Sequence, residues 1–227
     1  MNEAAIGRLV AILFCFLGLP IHLLICVSIR LFDKGPALYR DRRVGQFEKP
    51  FSMLKYRSMK VNCAPLVHAG SKMIVEVNDP RVTPLGRLLR CGIDELPQVI
   101  NIVRGEMAWV GPRPVPVLVL SKYGPLIRER FNLRPGITGL AQVLHSRTCS
   151  SARALTIDIW YLRHRNLWLD LWVMAVTPLF ICGWKSVGKA RLKRLLQIPE
   201  FQNLEKKCQE ELGPGVGILG SAHAARS

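Results

Sequence analysis

Asp94 and Glu95 are adjacent carboxylates set among guanidinium groups: Arg87 and Arg90 precede them, and Arg113 follows, fixed between prolines in Gly111-Pro112-Arg113-Pro114. A carboxylate can attack phosphorus to give an acyl phosphate, or hold Mg²⁺ against a pyrophosphate, while cations balance the charge on a transferring phosphoryl group. The combination is chemistry for phosphoryl transfer. The two prolines restrict the backbone around Arg113, so its guanidinium loses little further entropy on gripping phosphate with two hydrogen bonds. The plainer alternative is a rigid turn whose arginine points at solvent. Asp94 is also a favoured N-cap type, and acids complement a helix dipole, so the acid pair reads equally as an ordinary helix start. Walker A loop, Rossmann fingerprint, G-x-S-x-G elbow and H-E-x-x-H are all missing, which leaves this chemistry no other home.

Three predicted elements must position these groups. Thr83-Pro84 is a helix start, and Arg87 and Arg90, three apart, share a face of the short helix that Cys91-Gly92 ends. Asp94 and Glu95 then open a second helix, whose buried stripe is Leu96, Val99, Ile100 and Val103 and whose stop is Gly105. Upstream, Phe51, Met53, Leu54 and Tyr56 interleave with Lys55 and Arg57, a short strand able to aim cations at phosphate. Residues 61–78 carry no strong periodicity and read as a loop or short hairpin.

The 227 residues carry a formal charge of +16 together with 49% hydrophobic residues and a mean hydropathy of +0.19. So much apolar residue excludes disorder over most of the chain, and the basicity implies anionic partners: nucleic acid, phosphorylated small molecules or an acidic membrane surface. The length suits one domain, at most two. Seven scattered cysteines without a C-x-x-C pair suggest neither disulfides nor zinc, and place the bulk of the chain in a reducing compartment.

Residues 9–29 are 21 residues without formal charge, about 30 Å as a straight helix. No small-residue cleavage site follows, so a signal peptide fits poorly. Pro20 near the middle, weakened further by Gly18, and arginines at both flanks (Arg8, Arg30) favour a helix-break-helix hairpin with both ends on the cytoplasmic side; a kinked span is the alternative. Residues 30–60 then carry a net charge of +6, suited in part to anionic lipid head groups. Residues 167–184, interrupted by Pro178 and marked by Trp168, Trp172 and Trp184, lead into Lys185, Lys189, Arg191, Lys193 and Arg194. This pattern predicts a pair of helices lying in the membrane interface, against the alternative of a core helix with a basic exit. Residues 199–227 read as a charged then Gly-rich, disordered tail.

Eight blocks in order, Arg42-Arg43-Val44-Gly45, Lys55-Tyr56-Arg57-Ser58-Met59, Asp79-Pro80-Arg81, Gly86-Arg87, Asp94-Glu95-Leu96-Pro97-Gln98, Gly111-Pro112-Arg113-Pro114, Arg134-Pro135-Gly136-Ile137-Thr138-Gly139 and Ala141-Gln142-Val143, strongly resemble the bacterial sugar transferase family, the small monotopic phosphoglycosyl transferases. The resemblance covers about residues 7–190. It implies transfer of a sugar phosphate from a UDP-sugar to polyprenyl (undecaprenyl) phosphate with release of UMP, dependence on Mg²⁺, and an early membrane step of surface glycan synthesis. It also implies a re-entrant N-terminal hairpin broken at proline, which favours that reading of Pro20. On this sequence the catalytic acids fall on Asp94, the covalent nucleophile and Mg²⁺ neighbour, and Glu95, its partner. Arg90 and Arg113 match phosphate-contacting arginines, and Lys55 and Arg57 match a basic strand near the site. After Ala141-Gln142-Val143 the family usually continues Asn-Gly-Arg, whereas this chain runs Leu144-His145-Ser146-Arg147.

The resulting expectation is an α+β, mostly helical protein. Its parts are a re-entrant membrane hairpin (1–33), a small cytosolic catalytic domain with short strands and amphipathic interface helices (34–198), and a tail (199–227). It would sit on the cytoplasmic face of a bacterial inner membrane, with UDP-sugar, polyprenyl phosphate and membrane lipids as partners. Larger relatives carry a multi-span N-terminal extension, so the chain reads as a minimal catalytic form. The alternative from another class is a basic, membrane-anchored scaffold binding lipid or nucleic acid. Nucleic acid is disfavoured because no helix-turn-helix, RRM-like aromatic signature or zinc-finger pattern is present.

Overall fold

The computed structural model describes residues 3–61, 67–68, 72–73, 79–144, 151–184 and 186–213. The chain forms two compact units, residues 1–42 with 52–107 and residues 43–51 with 108–227.

The first unit begins with α1 (Glu3–Asp33), a single helix that carries Pro20 inside it. The sequence reading breaks the helix there, but the helix continues through Pro20, because proline removes one N–H donor while the turns on either side keep theirs. By length and composition α1 can cross a membrane. Phe16, Leu17, Leu23 and Leu24 lie exposed on it. At its foot Ile29 is fully buried against Ala37, Tyr56 and Leu89, with Ile25, Leu85, Ile93 and Leu96 packed around them.

Strand β1 (Leu38–Val44) pairs with β2 (Pro50–Tyr56). The segment read as a loop or hairpin contains a short antiparallel pair, β3 (Val67–His68) and β4 (Lys72–Met73), and is otherwise outside the described residues. Helix α2 (Pro84–Leu89) starts as its sequence dictates, with the Thr83 hydroxyl accepting from the Gly86 N–H at 2.9 Å. Gly86 is required for another reason: a Cβ there would lie 2.1 Å from the Ser58 carbonyl oxygen. Helix α3 (Gln98–Val103) packs against α1 and is tied to β2 by Asn101, which is fully buried. Its side-chain oxygen accepts from the Leu54 N–H at 3.0 Å, and its amide donates to the Ser52 carbonyl at 2.8 Å and to Glu106 at 2.6 Å.

In the second unit β5 (Ala108–Val110) runs parallel to β6 (Gly136–Thr138). A short helix α4 (Pro125–Arg128) follows β5, and β6 leads into α5 (Leu140–Leu144). Four longer helices complete the unit: α6 (Ser151–His164), α7 (Leu167–Ile181), α8 (Ser186–Leu195) and α9 (Pro199–Leu212). The main core joins Val110, Leu140, Leu144, Ile157, Tyr161, Val173 and Phe201. Helix α7, at 15 residues with Pro178 inside, is shorter than a span.

Helix α9 corrects the reading of residues 199–227 as a disordered tail. Phe201, Leu204, Cys208 and Leu212 recur at helical spacing and are buried, so residues 199–212 form an ordered amphipathic helix packed on α6. The Gly-rich remainder from 214 lies outside the described residues, as do His145, Ser146 and Arg147.

Candidate functional site

The chemistry-bearing groups of the first unit converge where β2, α2 and the turn before α3 meet. Gly92, with φ of +117°, ends α2 in a left-handed conformation that glycine adopts without strain. The chain then makes a 3-10 turn over Ile93–Glu95, and α3 begins only at Gln98. Asp94 and Glu95 therefore occupy a turn ahead of the helix instead of opening it, because Pro97 and the 3-10 bonding delay the α-helical start. Neither acid is a cap, so the capping account of the pair does not hold, although both lie in the first turn of this 3-10 segment.

Lys55, near the end of β2, places its Nζ 2.8 Å from Glu95 Oε1, with both side chains largely buried. Asp94 is half-buried beside them. Burial pushes its carboxyl above the ordinary range; Lys55 and Arg90 pull it back, and Glu95 raises it further. Arg90, half-buried, donates from Nε to the Ser58 hydroxyl at 3.2 Å, which fixes the base of its guanidinium. The same Arg90 also acts on Asp79, which Arg81 holds at about 2 through hydrogen bonds as short as 2.6 Å. The arrangement is a half-open carboxylate with a paired neighbour, an ammonium on one side and a guanidinium held by a serine. It suits a nucleophile approaching an anionic phosphorus.

Arg57 goes elsewhere. It lies just past the end of β2, so strand alternation no longer puts it on the face of Lys55. It is buried, and its Nη2 donates to the Asp33 carbonyl at 3.1 Å, at the end of α1, while Nε and Nη1 have no partner among the described residues. Asp33 in turn accepts from the Thr83 hydroxyl at 2.8 Å, which links the foot of α1 to the start of α2.

Arg113 belongs to the second unit. Its loop is pinned at successive carbonyls: Pro112 accepts from the Gly136 N–H at 3.1 Å, Arg113 from Arg130 Nη2 at 2.8 Å, Pro114 from Arg43 Nη1 at 3.3 Å and Val115 from the Val44 N–H at 2.9 Å. With the backbone so held, the Arg113 side chain is presented at the surface. Arg130 was not singled out in the sequence, nor were Asn101 and Ser58. Ser58 lies inside one of the motif blocks, but nothing in residue type or spacing distinguishes the other two.

No group of three or more His, Cys, Asp or Glu side chains that could hold a metal ion occurs among the described residues. Mg²⁺ is nonetheless commonly bound by one or two carboxylates plus the phosphates of a substrate. The adjacent acids Asp94 and Glu95 fit that smaller donor set.

The model of the bacterial sugar transferase family matches residues 2–183 of this chain. Similar proteins include the UDP-glucose:undecaprenyl-phosphate glucose-1-phosphate transferase of Caulobacter vibrioides, 38% identical over 189 residues that cover 78% of this chain and 68% of that protein. The protein of the same name from Escherichia coli K12 is 35% identical over 178 residues, covering 74% of this chain and 37% of that one. That from Xanthomonas campestris pv. campestris is 35% identical over 176 residues, 74% of this chain and 36% of that one. The chain thus spans little more than a third of the length of several curated relatives it matches.

Proposed function

Because the chain belongs to the bacterial sugar transferase family, we propose that it transfers a sugar 1-phosphate from a UDP-sugar to polyprenyl phosphate, with Asp94 as a covalent nucleophile. The observation that carries this reading is the half-buried Asp94 flanked by Lys55, Glu95 and Arg90. A carboxylate oxygen of Asp94 attacks the phosphorus that bears the sugar. The phosphoanhydride bond breaks, its electron pair leaves with UMP, and an aspartyl phosphosugar remains. An oxygen of polyprenyl phosphate then attacks the same phosphorus, which releases polyprenyl diphosphate sugar and regenerates the carboxylate. Two steps let a water-soluble donor and a lipid-embedded acceptor use the same site in turn.

Partial burial serves this chemistry, since a poorly solvated carboxylate loses less hydration on attack. Glu95 holds Lys55 in place, and Lys55 and Arg90 offset charge on the phosphoryl oxygens. Arg113, exposed on its pinned loop in the second unit, is a phosphate-binding candidate by its two-bond fork. Asp94 and Glu95 would hold Mg²⁺, which when bound screens the repulsion between carboxylate and pyrophosphate. Arg57 acts by joining the foot of α1 to the catalytic segment.

We assign α1 to the membrane, re-entrant only through a kink at Pro20 within its continuous helix, with the units on the cytoplasmic face of a bacterial inner membrane. Arg8 and Arg30 at both flanks and Pro20 between them support that assignment. Glucose is the first sugar to test, because several relatives are named for it, and galactose the second, because two are named for galactose or galactosyl transfer. UMP should be released from the right UDP-sugar only when Mg²⁺ and polyprenyl phosphate are both present. A scaffold releases none, and a hydrolase releases UMP without the lipid. Intact mass without acceptor should show one added sugar phosphate on the wild type and none on Asp94→Asn.

A further inference from the structure

Between α6, α7 and α8 the second unit has an open groove of about 900 Å³, walled by Trp160, Trp168, Leu171 and Trp172 and edged by His164 and Arg191. On α7 beside the groove, Leu167, Trp168 and Leu171 are exposed. A run of this kind on a folded surface marks an interaction site. Arg194, exposed on α8, adds a second cation close to Arg191, while at the other edge His164 lies 4.0 Å from Glu200.

Arg191 is the distinctive group. Its guanidinium lies over the Trp172 ring, 4.2 Å from the centroid, and forms no ion pair or hydrogen bond among the described residues. Stacking occupies the face of a guanidinium and leaves its edge of N–H donors available, the geometry that takes a phosphate with two bonds. Burial and the charge of Arg194 both work against its cation, and a bound anion would relieve both. Trp168, 80% exposed, has an apolar ring and a polar N–H, suited to the level where acyl chain meets head group.

We propose that this groove binds one anionic phospholipid, its phosphate on Arg191 and its acyl chain against Trp168, Leu171 and Trp172. The proposal rests on the membrane reading given above and goes beyond it. Interface-lying helices need only nonspecific attraction, whereas a stacked guanidinium set in an aromatic groove selects a phosphate head group of net negative charge. A zwitterionic lipid offers the same chains and phosphate but adds a cation that Arg191 and the neighbouring Arg194 repel.

The test follows the indole N–H signals of the five tryptophans of the full chain in zwitterionic detergent. Short-chain phosphatidylglycerol, phosphatidylcholine of equal chain length, and inorganic phosphate are titrated separately. Phosphatidylglycerol should shift Trp168 and Trp172 saturably and leave Trp109 unmoved, and Arg191→Gln should weaken this binding by about tenfold or more. Arg191→Lys, which keeps the charge and loses the fork, should fall between. Equal shifts with phosphatidylcholine, a response to inorganic phosphate alone, or unchanged affinity in both variants overturn the proposal. Flotation with anionic vesicles separates the two readings. A chain that floats without lipid-specific shifts keeps its membrane assignment and loses the lipid site; one that does not float loses both.

Discussion

Two aspartates, one in each unit, are raised by burial and drawn back by a cation, yet their surroundings differ. Asp158 in α6 is nearly closed off, as is its partner Arg130, whose Nη2 lies 2.6 Å from the carboxylate. Asp94 is half-open, and the charges acting on it, Lys55 and Arg90, are each engaged elsewhere, with Glu95 and Ser58. A closed pair with matched geometry neutralises itself and stiffens what it touches, here the Arg113 carbonyl. An acid beside cations that are held but not consumed keeps capacity for an incoming anion. Burial of an acid is thus a poor guide to function until its counter-charges are traced to their other partners.

Substitution separates the two cases most sharply. Asp94→Asn should lower UMP release by about a thousandfold or more, since an amide neither attacks phosphorus nor holds Mg²⁺ well, with a circular dichroism spectrum like that of the wild type. Asp158→Asn should do the reverse to the fold, because it strands Arg130 as a buried, unpaired cation. Breaking such a pair costs about 3–5 kcal/mol, read as a large fall in the denaturation midpoint. If Asp158→Asn melts like the wild type and loses only activity, Asp158 belongs to the chemistry and the contrast fails.

The sequence carried one member of this contrast far better than the other. Asp94, Glu95, Arg90 and Lys55 lie close together along the chain or inside recognisable blocks, and Thr83-Pro84 and Cys91-Gly92 mark the ends of α2 by local backbone chemistry. Arg130 and Asp158 pair across 28 residues, and long-range pairing leaves no local pattern. The same limit hid Asn101, whose clamp on β2 spans 47 residues. Arg57 binds the Asp33 carbonyl through one of its nitrogens, a contact that the alternation of β2 does not announce because Arg57 lies one residue past the strand. Helix α9 was missed because its many charges mask a stripe of four buried residues.

Arg113 and Glu95 sharpen the comparison at intermediate effect. Arg113→Lys keeps the charge but loses the two-bond grip, so kcat/KM for the UDP-sugar should fall by about tenfold or more with stability unchanged. Equal activity would show that the pinned loop serves only the fold. Glu95→Gln releases Lys55, and a fall of about tenfold in the rate of adduct formation is expected if the pair orients the ammonium. A Glu95→Gln protein that forms the Asp94 adduct at the wild-type rate removes Glu95 from the first step.

The smallest effect lies in the pH dependence of stability, where Asp79 and Asp94 should oppose each other although Arg90 acts on both. Arg81 holds Asp79 at about 2 in the folded state, below its ordinary value. The stabilisation is therefore present above the ordinary carboxylate range and is lost as pH falls toward 2. Asp79→Asn should be less stable than wild type at neutral pH, with the gap narrowing on acidification. Asp94 is raised, so below the ordinary range both states hold its proton and nothing is lost. As pH rises through the raised value the folded state must ionise a half-buried acid, and stability falls relative to a protein without it. Asp94→Asn should accordingly melt slightly above wild type at neutral pH in metal-free buffer, with no difference in acid. The difference between variant and wild type cancels the titration of Asp158, common to both. An Asp94→Asn protein less stable than wild type at neutral pH would mean that Lys55 and Arg90 outweigh burial, and Asp94 would then resemble the closed pair at Asp158 more than an acid kept for an incoming phosphate.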